Sequence, residues 1–181
     1  MAARLLMLSM RRWQKTLLVT VAVAVAIFAF VGWYRLHYSM GVAQPFEVND
    51  PHSQPRVLIA TQGSEFKDAV VTAVVDHLKK RSAYVKVIDV SGLPGVNEGD
   101  WSAIVVLHTW EMRKPQADAK AFVDRARNTH KIVVLSTSGA GDFKMEGVDA
   151  ISSASRVEDV PSRVAEITRK VDAILDARAD H

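Results

Sequence analysis

Three polar loops, each following an apolar run, hold most of the residues whose types could do chemistry: TQGSEF from Thr61, HTWEMRKP from His108 and STSGAGDFKMEG from Ser136. His108 closes its apolar run, and an imidazole there could donate to a ligand or pass a proton, or simply pack. The other histidines, His37, His52, His77, His130 and His181, show no metal-ligand spacing. With no cysteine there is no thiol nucleophile, thiolate site or disulfide framework. Neither a P-loop nor G-x-G-x-x-G occurs, and Ser138-Gly139 lacks the G-x-S-x-G elbow. The stretch GVDAISSAS, 147 to 155, reads as a short strand over 148–151 followed by a turn. There, Ser155 and Glu158 have the S-x-x-E spacing of a capping box, with Asp159 as a competing cap.

The elements around these loops follow from hydrophobic periodicity. RVLIAT (56–61), SAIVVLH (102–108) and KIVVLS (131–136) are apolar at consecutive positions, as strands covered on both faces are, whereas YVKVIDV (84–90) alternates enough for a sheet edge. Phe66, Val70, Ala73, Val74 and Leu78 recur at helical spacing, with His77 beside that stripe and Lys79-Lys80-Arg81 suited to the helix's C-terminal dipole. Pro115 opens a second helix with Ala117, Ala121, Phe122 and Ala126 on one face. A last helix runs over 160–178 with Val164, Ile167, Val171, Ile174 and Leu175 in one stripe. This alternation predicts an α/β fold, a parallel sheet with helices on both faces. In such a sheet ligands bind beyond the carboxyl ends of the strands, which is where the three loops lie.

At this rim the chain resembles the flavodoxin-like family over roughly residues 56 to 178. The resemblance implies a three-layer sandwich with a five-stranded parallel sheet in the order 2-1-3-4-5, and FMN held on the three loops. Thr61-Gln62-Gly63-Ser64 is similar to the family's T-x-T-G-x-T phosphate loop, in which backbone N–H groups at a helix start meet an anion. Gln62 stands where a hydroxyl is expected and Glu65 where the closing Thr should be, and a carboxylate at that spot repels phosphate. Asp100-Trp101 resembles the family's acidic-aromatic approach to the third strand, and Thr109-Trp110 the exit carrying an aromatic over the flavin ring. Ser138-Gly139-Ala140-Gly141-Asp142 is similar to the Gly-rich segment along the ring edge. Residues 149 to 155, DAISSAS, further resemble the D-x-x-[ST]-G-A-T signature for covalent FMN attachment, with Ser155 in place of the acceptor Thr and Ser153 in place of Gly. The resemblance thus implies an FMN-binding electron carrier or small oxidoreductase; the alternative is a cofactor-free interaction module of a membrane-associated assembly.

Thr16 to Tyr34 is a run of uncharged, mostly apolar residues that spans roughly 28 Å as a helix, enough to cross a bilayer. Arg4, Arg11, Arg12 and Lys15 precede it and Arg35 follows, so the N-terminus is expected in the cytoplasm and the C-terminal domain in the periplasm or outside the cell. A cleaved signal peptide is the competing reading. The expected organisation is a basic N-terminus (1–15), a transmembrane helix in the inner membrane (16–34), a proline-containing linker (35–55) and the flavodoxin-like domain (56–181). The sequence pI of about 9.3 does not point to nucleic acid. Residues 1–49 carry five Lys/Arg against one Glu, while residues 50–181 carry 18 basic against 19 acidic residues, so the outer domain is nearly neutral. The bilayer and a redox or membrane-protein partner are the expected contacts.

Overall fold

The computed structural model describes residues 12–38 and 41–179, so the basic stretch up to residue 11, the linker residues 39 and 40 and the last two residues lie outside the described part. The chain divides into two units at residue 39. The first is helix α1, Arg12–Tyr38. Its window Arg12–Trp33 has a mean hydropathy of 2.4 and none of its residues is buried by protein, so it is long and apolar enough to cross a membrane. Thr16 and Thr20 return their hydroxyls to the carbonyls of Arg12 and Thr16, which satisfies both groups within the helix.

The second unit is a six-stranded mixed sheet: β1 (Phe46–Val48), β2 (Arg56–Thr61), β3 (Tyr84–Asp89), β4 (Ala103–Thr109), β5 (Ile132–Thr137) and β6 (Asp149–Ser153), in the order β1-β3-β2-β4-β5-β6. Strand count and order therefore differ from the five-stranded expectation. The added strand comes from the segment expected as a linker. It pairs antiparallel with β3, Glu47 opposite Lys86, and the two side chains form an ion pair at 2.8 Å. β3 is thus not the sheet edge, and its alternation corresponds to buried Val85 and Val87 between half-buried Lys86 and Ile88. Asn49 ends β1 at φ 66° and donates its side-chain amide to Ala83 O at 2.7 Å, a turn conformation that Asn tolerates.

Successive residues of a strand point to opposite faces, which is why the continuous apolar runs are buried throughout. Val57, Ile59, Val105, Leu107, Val133 and Leu135 meet α2 (Glu65–Lys80) and α4 (Val160–Ala179) on one face. Leu58, Ala60, Ile104, Val106, Ile132 and Val134 meet α3 (Ala117–Arg125) and Leu93 on the other. The connection from β3 to β4 is made of two 3-10 turns, Val90–Gly95 and Glu98–Asp100, and no helix lies between β5 and β6. His77 is not simply packed: its Nε2 bonds Asp172 of α4 at 2.9 Å, and Arg81 bonds both Asp172 and Asp176. Trp101 stacks near Tyr84, and the Arg56 guanidinium lies over both rings at 5.2 and 5.3 Å. That places the aromatic step into β4 at the amino end of the sheet, away from the rim.

Candidate functional site

The three loops meet at the carboxyl rim through hydrogen bonds made by their own side chains. Gln62 continues β2 by donating its N–H to Leu107 O at 3.3 Å, and its side-chain Oε1 accepts from Thr109 N at 2.7 Å. The residue that replaces a hydroxyl in the family pattern therefore caps the end of β4. Thr61 is buried and donates to Gln62 O. Ser64 is the N-cap of α2, accepting from Lys67 N at 3.3 Å. Glu65, the first residue of that helix, is exposed.

Gly63 is engaged by a segment that sequence reasoning did not bring here. Its N–H donates to Gly41 O at 2.6 Å, and Gly41 N–H returns to Gly63 O at 3.0 Å. A Cβ on Gly63 would lie 3.0 Å from the Gly41 backbone, so a larger residue would press on this strap. Two residues on, Ala43 N donates to Asp89 Oδ2 at 2.8 Å. Burial raises the Asp89 carboxyl pKa, but hydrogen bonds from Ser91 and Ala43 outweigh it and leave it below its ordinary value. The strap is thus fastened by a charge-assisted bond before it enters β1.

Lys67 is the second residue that the sequence reading missed. It is 1% exposed, and Nζ donates to Thr109 Oγ1 at 2.6 Å. Thr109 Oγ1 lies 3.0 Å from Thr137 Oγ1, which also donates to His108 O at 3.2 Å, so one polar chain ties α2, β4 and β5 under the rim. Burial pulls the Lys67 ammonium pKa down to about 8, with Asp68 and Glu111 opposing the shift. A signal was present: positions 67, 70, 71, 74 and 78 continue one helical face, and Lys67 occupies its N-terminal corner.

His108 is completely buried, with Nε2 2.9 Å from Ser136 Oγ and the Gln116 N–H directed at Nδ1 across a long 3.5 Å contact. An acceptor role for Nδ1 places the ring proton on Nε2, which donates to Ser136. Burial lowers its pKa to about 4; the Thr109 backbone bond opposes this and the Lys67 charge adds to it. The imidazole is neutral and serves the interior.

In the third loop, Ser138 Oγ donates to Asp142 and accepts from Gly141 N, while Ser138 N donates to Ser153 O at 3.1 Å and ties the loop to β6. Gly139 and Ala140 are exposed. Gly141 sits at φ 73°, where a Cβ would come within 2.7 Å of Ala154 N. Trp110 N donates to Thr137 O, one face of its indole stacks on Phe143 at 4.9 Å, and its buried Nε1 has no partner among the described residues. Ser155 lies two residues past the end of β6, exposed, at φ 58°. The expected capping box is not formed: the turn Val157–Asp159 has Arg156 at its N-cap without a side-chain bond, and Ser155 N instead faces Ser153 Oγ at 3.4 Å.

Part of the rim is engaged by the chain itself. The Gly63 amide already has its acceptor, the Gln62 side chain is folded into β4, and Phe143 covers one face of the Trp110 ring.

No protein-family model matches this sequence, and no curated protein matches it. Among solved structures, an oxidoreductase from Corynebacterium diphtheriae is similar at 13% identity and a TM-score of 0.46, over 69% of this chain and 99% of that one. A mutant flavo di-iron protein from Thermotoga maritima is similar at 14% identity and a TM-score of 0.46, over 68% of this chain and 36% of that one. Likeness at this level decides neither ligand nor activity.

Proposed function

We propose that this chain is a membrane-anchored, cofactor-free flavodoxin-like module that works by binding a partner in a membrane-associated assembly. The observation that supports this reading is the reciprocal Gly41–Gly63 pair. It gives the amide of Gly63, two residues ahead of α2, to the chain's own backbone, where the resemblance to the family's phosphate loop would have it face a phosphate. In this reading α1 is the anchor, the basic residues ahead of it stay in the cytoplasm, and the domain faces outward.

The test is a flavin titration of the full chain purified in nonionic detergent. The protein is expected to be colourless, and added FMN is expected neither to lose fluorescence nor to raise the melting temperature. Stoichiometric flavin would replace this reading with FMN-dependent electron transfer and would require the strap to leave Gly63. Flavin that survived denaturation in the parent but was absent from Ser155→Ala would assign covalent attachment to that serine. Protease added outside intact spheroplasts is expected to remove the domain; protection would reverse the orientation.

A further inference from the structure

At the end of the sheet opposite the rim, a pocket of about 590 Å³ lies between the amino ends of β5 and β6 and the C-terminal half of α4. It is an open cleft whose volume falls in the range of small-ligand sites. Four fixed cations line it, Lys131, Arg169, Lys170 and Arg178, against one carboxylate, Asp149. Among the described residues that carboxylate pairs only with Lys170, in bonds of 2.7 and 2.8 Å. Lys131 Nζ donates to the carbonyls of Glu98 and Trp101 at 2.7 and 3.3 Å, and Arg178 Nη1 donates to the same Trp101 carbonyl at 3.2 Å. Two cations are thus drawn to one neutral acceptor. Among the described residues Lys131, Arg169 and Arg178 form no ion pair. The Lys131 pKa is lowered, first by burial and also by the Arg178 charge, which outside carboxylates only partly offset.

A local surplus of three positive charges in a domain whose residues 50–181 are almost neutral is an electrostatic feature with a direction. Arg178 also suits the negative end of the α4 dipole, but that role accounts for neither Lys131 nor Arg169. The pocket is not uniformly polar: Ile174, with small neighbours on the same helix, gives it an apolar wall.

We propose that this pocket binds a small organic phosphate, its phosphate ester held by Arg169, Arg178 and Lys131 and its less polar body laid along Ile174. Guanidinium forks match the geometry of phosphate oxygens, and the lysine adds a point charge. A nucleic-acid strand is a poorer match, because the positive charge is confined to one pocket of a nearly neutral domain. The phosphate could belong to a soluble metabolite or to a phospholipid headgroup, and the two sources separate experimentally.

Calorimetry on the full chain in nonionic detergent would use AMP, glycerol 3-phosphate and monomeric dihexanoylphosphatidylglycerol as probes, with adenosine and glycerol as phosphate-free controls. At least one phosphate probe is expected to bind saturably below millimolar concentration, more weakly as salt rises, while the controls do not bind. Saturation by AMP or glycerol 3-phosphate assigns a soluble ligand, and saturation by the short-chain lipid alone assigns a headgroup. Arg169→Gln and, separately, Arg178→Gln are each expected to weaken binding about tenfold, the effect of losing one charge-assisted contact. Lys144→Gln, an exposed change in the loop at the other end of the sheet, should leave it unchanged. Arg169 is exposed and forms no ion pair among the described residues, so its replacement tests binding even if Arg178→Gln disturbs the fold. Absence of saturable binding by all three probes, or equal binding by both arginine variants and the parent, overturns the proposal.

Discussion

Replacing Lys67 by methionine should stabilise this protein at neutral pH, and the gain should disappear in alkali. The side chain is 1% exposed, and its ammonium pKa falls from 10.5 to about 8 on folding. Below about pH 8 the folded chain carries a buried positive charge, and between about 8 and 10.5 the unfolded chain binds more protons at this site than the folded one. Stability from this group is therefore lowest at and below neutrality and rises with pH across that window. A shift of this size corresponds to about 3 kcal/mol. Methionine preserves the unbranched shape but gives up the polar interactions of the ammonium, the bond to Thr109 Oγ1 among them, a loss of about 1 to 2 kcal/mol. The net expectation is a gain of about 1 to 2 kcal/mol near pH 7, falling to nothing or a slight loss near pH 10. The assay is urea unfolding of Lys67→Met and the parent in nonionic detergent, followed by near-UV circular dichroism at several pH values. His108, whose pKa the Lys67 charge helps to lower to about 4, stays neutral in the folded chain across this pH range, so it does not mask the difference. A difference that stays constant from about pH 7 to 10 would refute the claim that this lysine pays a burial penalty.

Gly63→Ala should loosen the strap, because the new Cβ meets the Gly41 backbone at 3.0 Å; a cost of about 1 to 3 kcal/mol and faster proteolysis near residue 41 are expected, and an unchanged cleavage pattern would contradict it. His108 should make the fold acid-sensitive in a defined window: its folded pKa is about 4 against an ordinary 6.5, so the unfolded state takes up the proton first, and stability is lost as pH falls from about 6.5 to 4. A less acid-sensitive His108→Gln variant in thermal melts checks this, and an unchanged acid limb would count against it. Gly141→Ala combines a left-handed backbone with a contact of 2.7 Å to Ala154 N and should lower the melting temperature more than Gly139→Ala, whose Cβ would meet nothing within 4 Å.

Much of the layered fold was legible in the chain because burial on both faces leaves a local mark. Runs such as VLIA and IVVL can be buried only where each alternate side chain meets a helix layer, and helical spacing in 160–178 located α4 to within a residue at each end. The rim position of the three loops followed from the same pattern. What the loops do with their polar groups did not, because hydrogen-bond partners at a rim come from other parts of the chain. Thr61-Gln62-Gly63-Ser64 reads as an anion cradle until Gly41 is laid against it, and Gln62 reads as a failed hydroxyl until its side chain is seen on Thr109.

Amphipathic periodicity, charge distribution and the apolar run of α1 are properties of neighbouring residues, and the sequence by itself determined the α/β class, the apolar helix and the near-neutral domain. Tertiary structure alone decided that Phe46–Val48 becomes an edge strand, that Lys67 is buried and that Lys131, just ahead of β5, shares a pocket with three cations of α4. Each of these depends on what packs opposite, and a three-residue strand or a single buried lysine has no period to announce it.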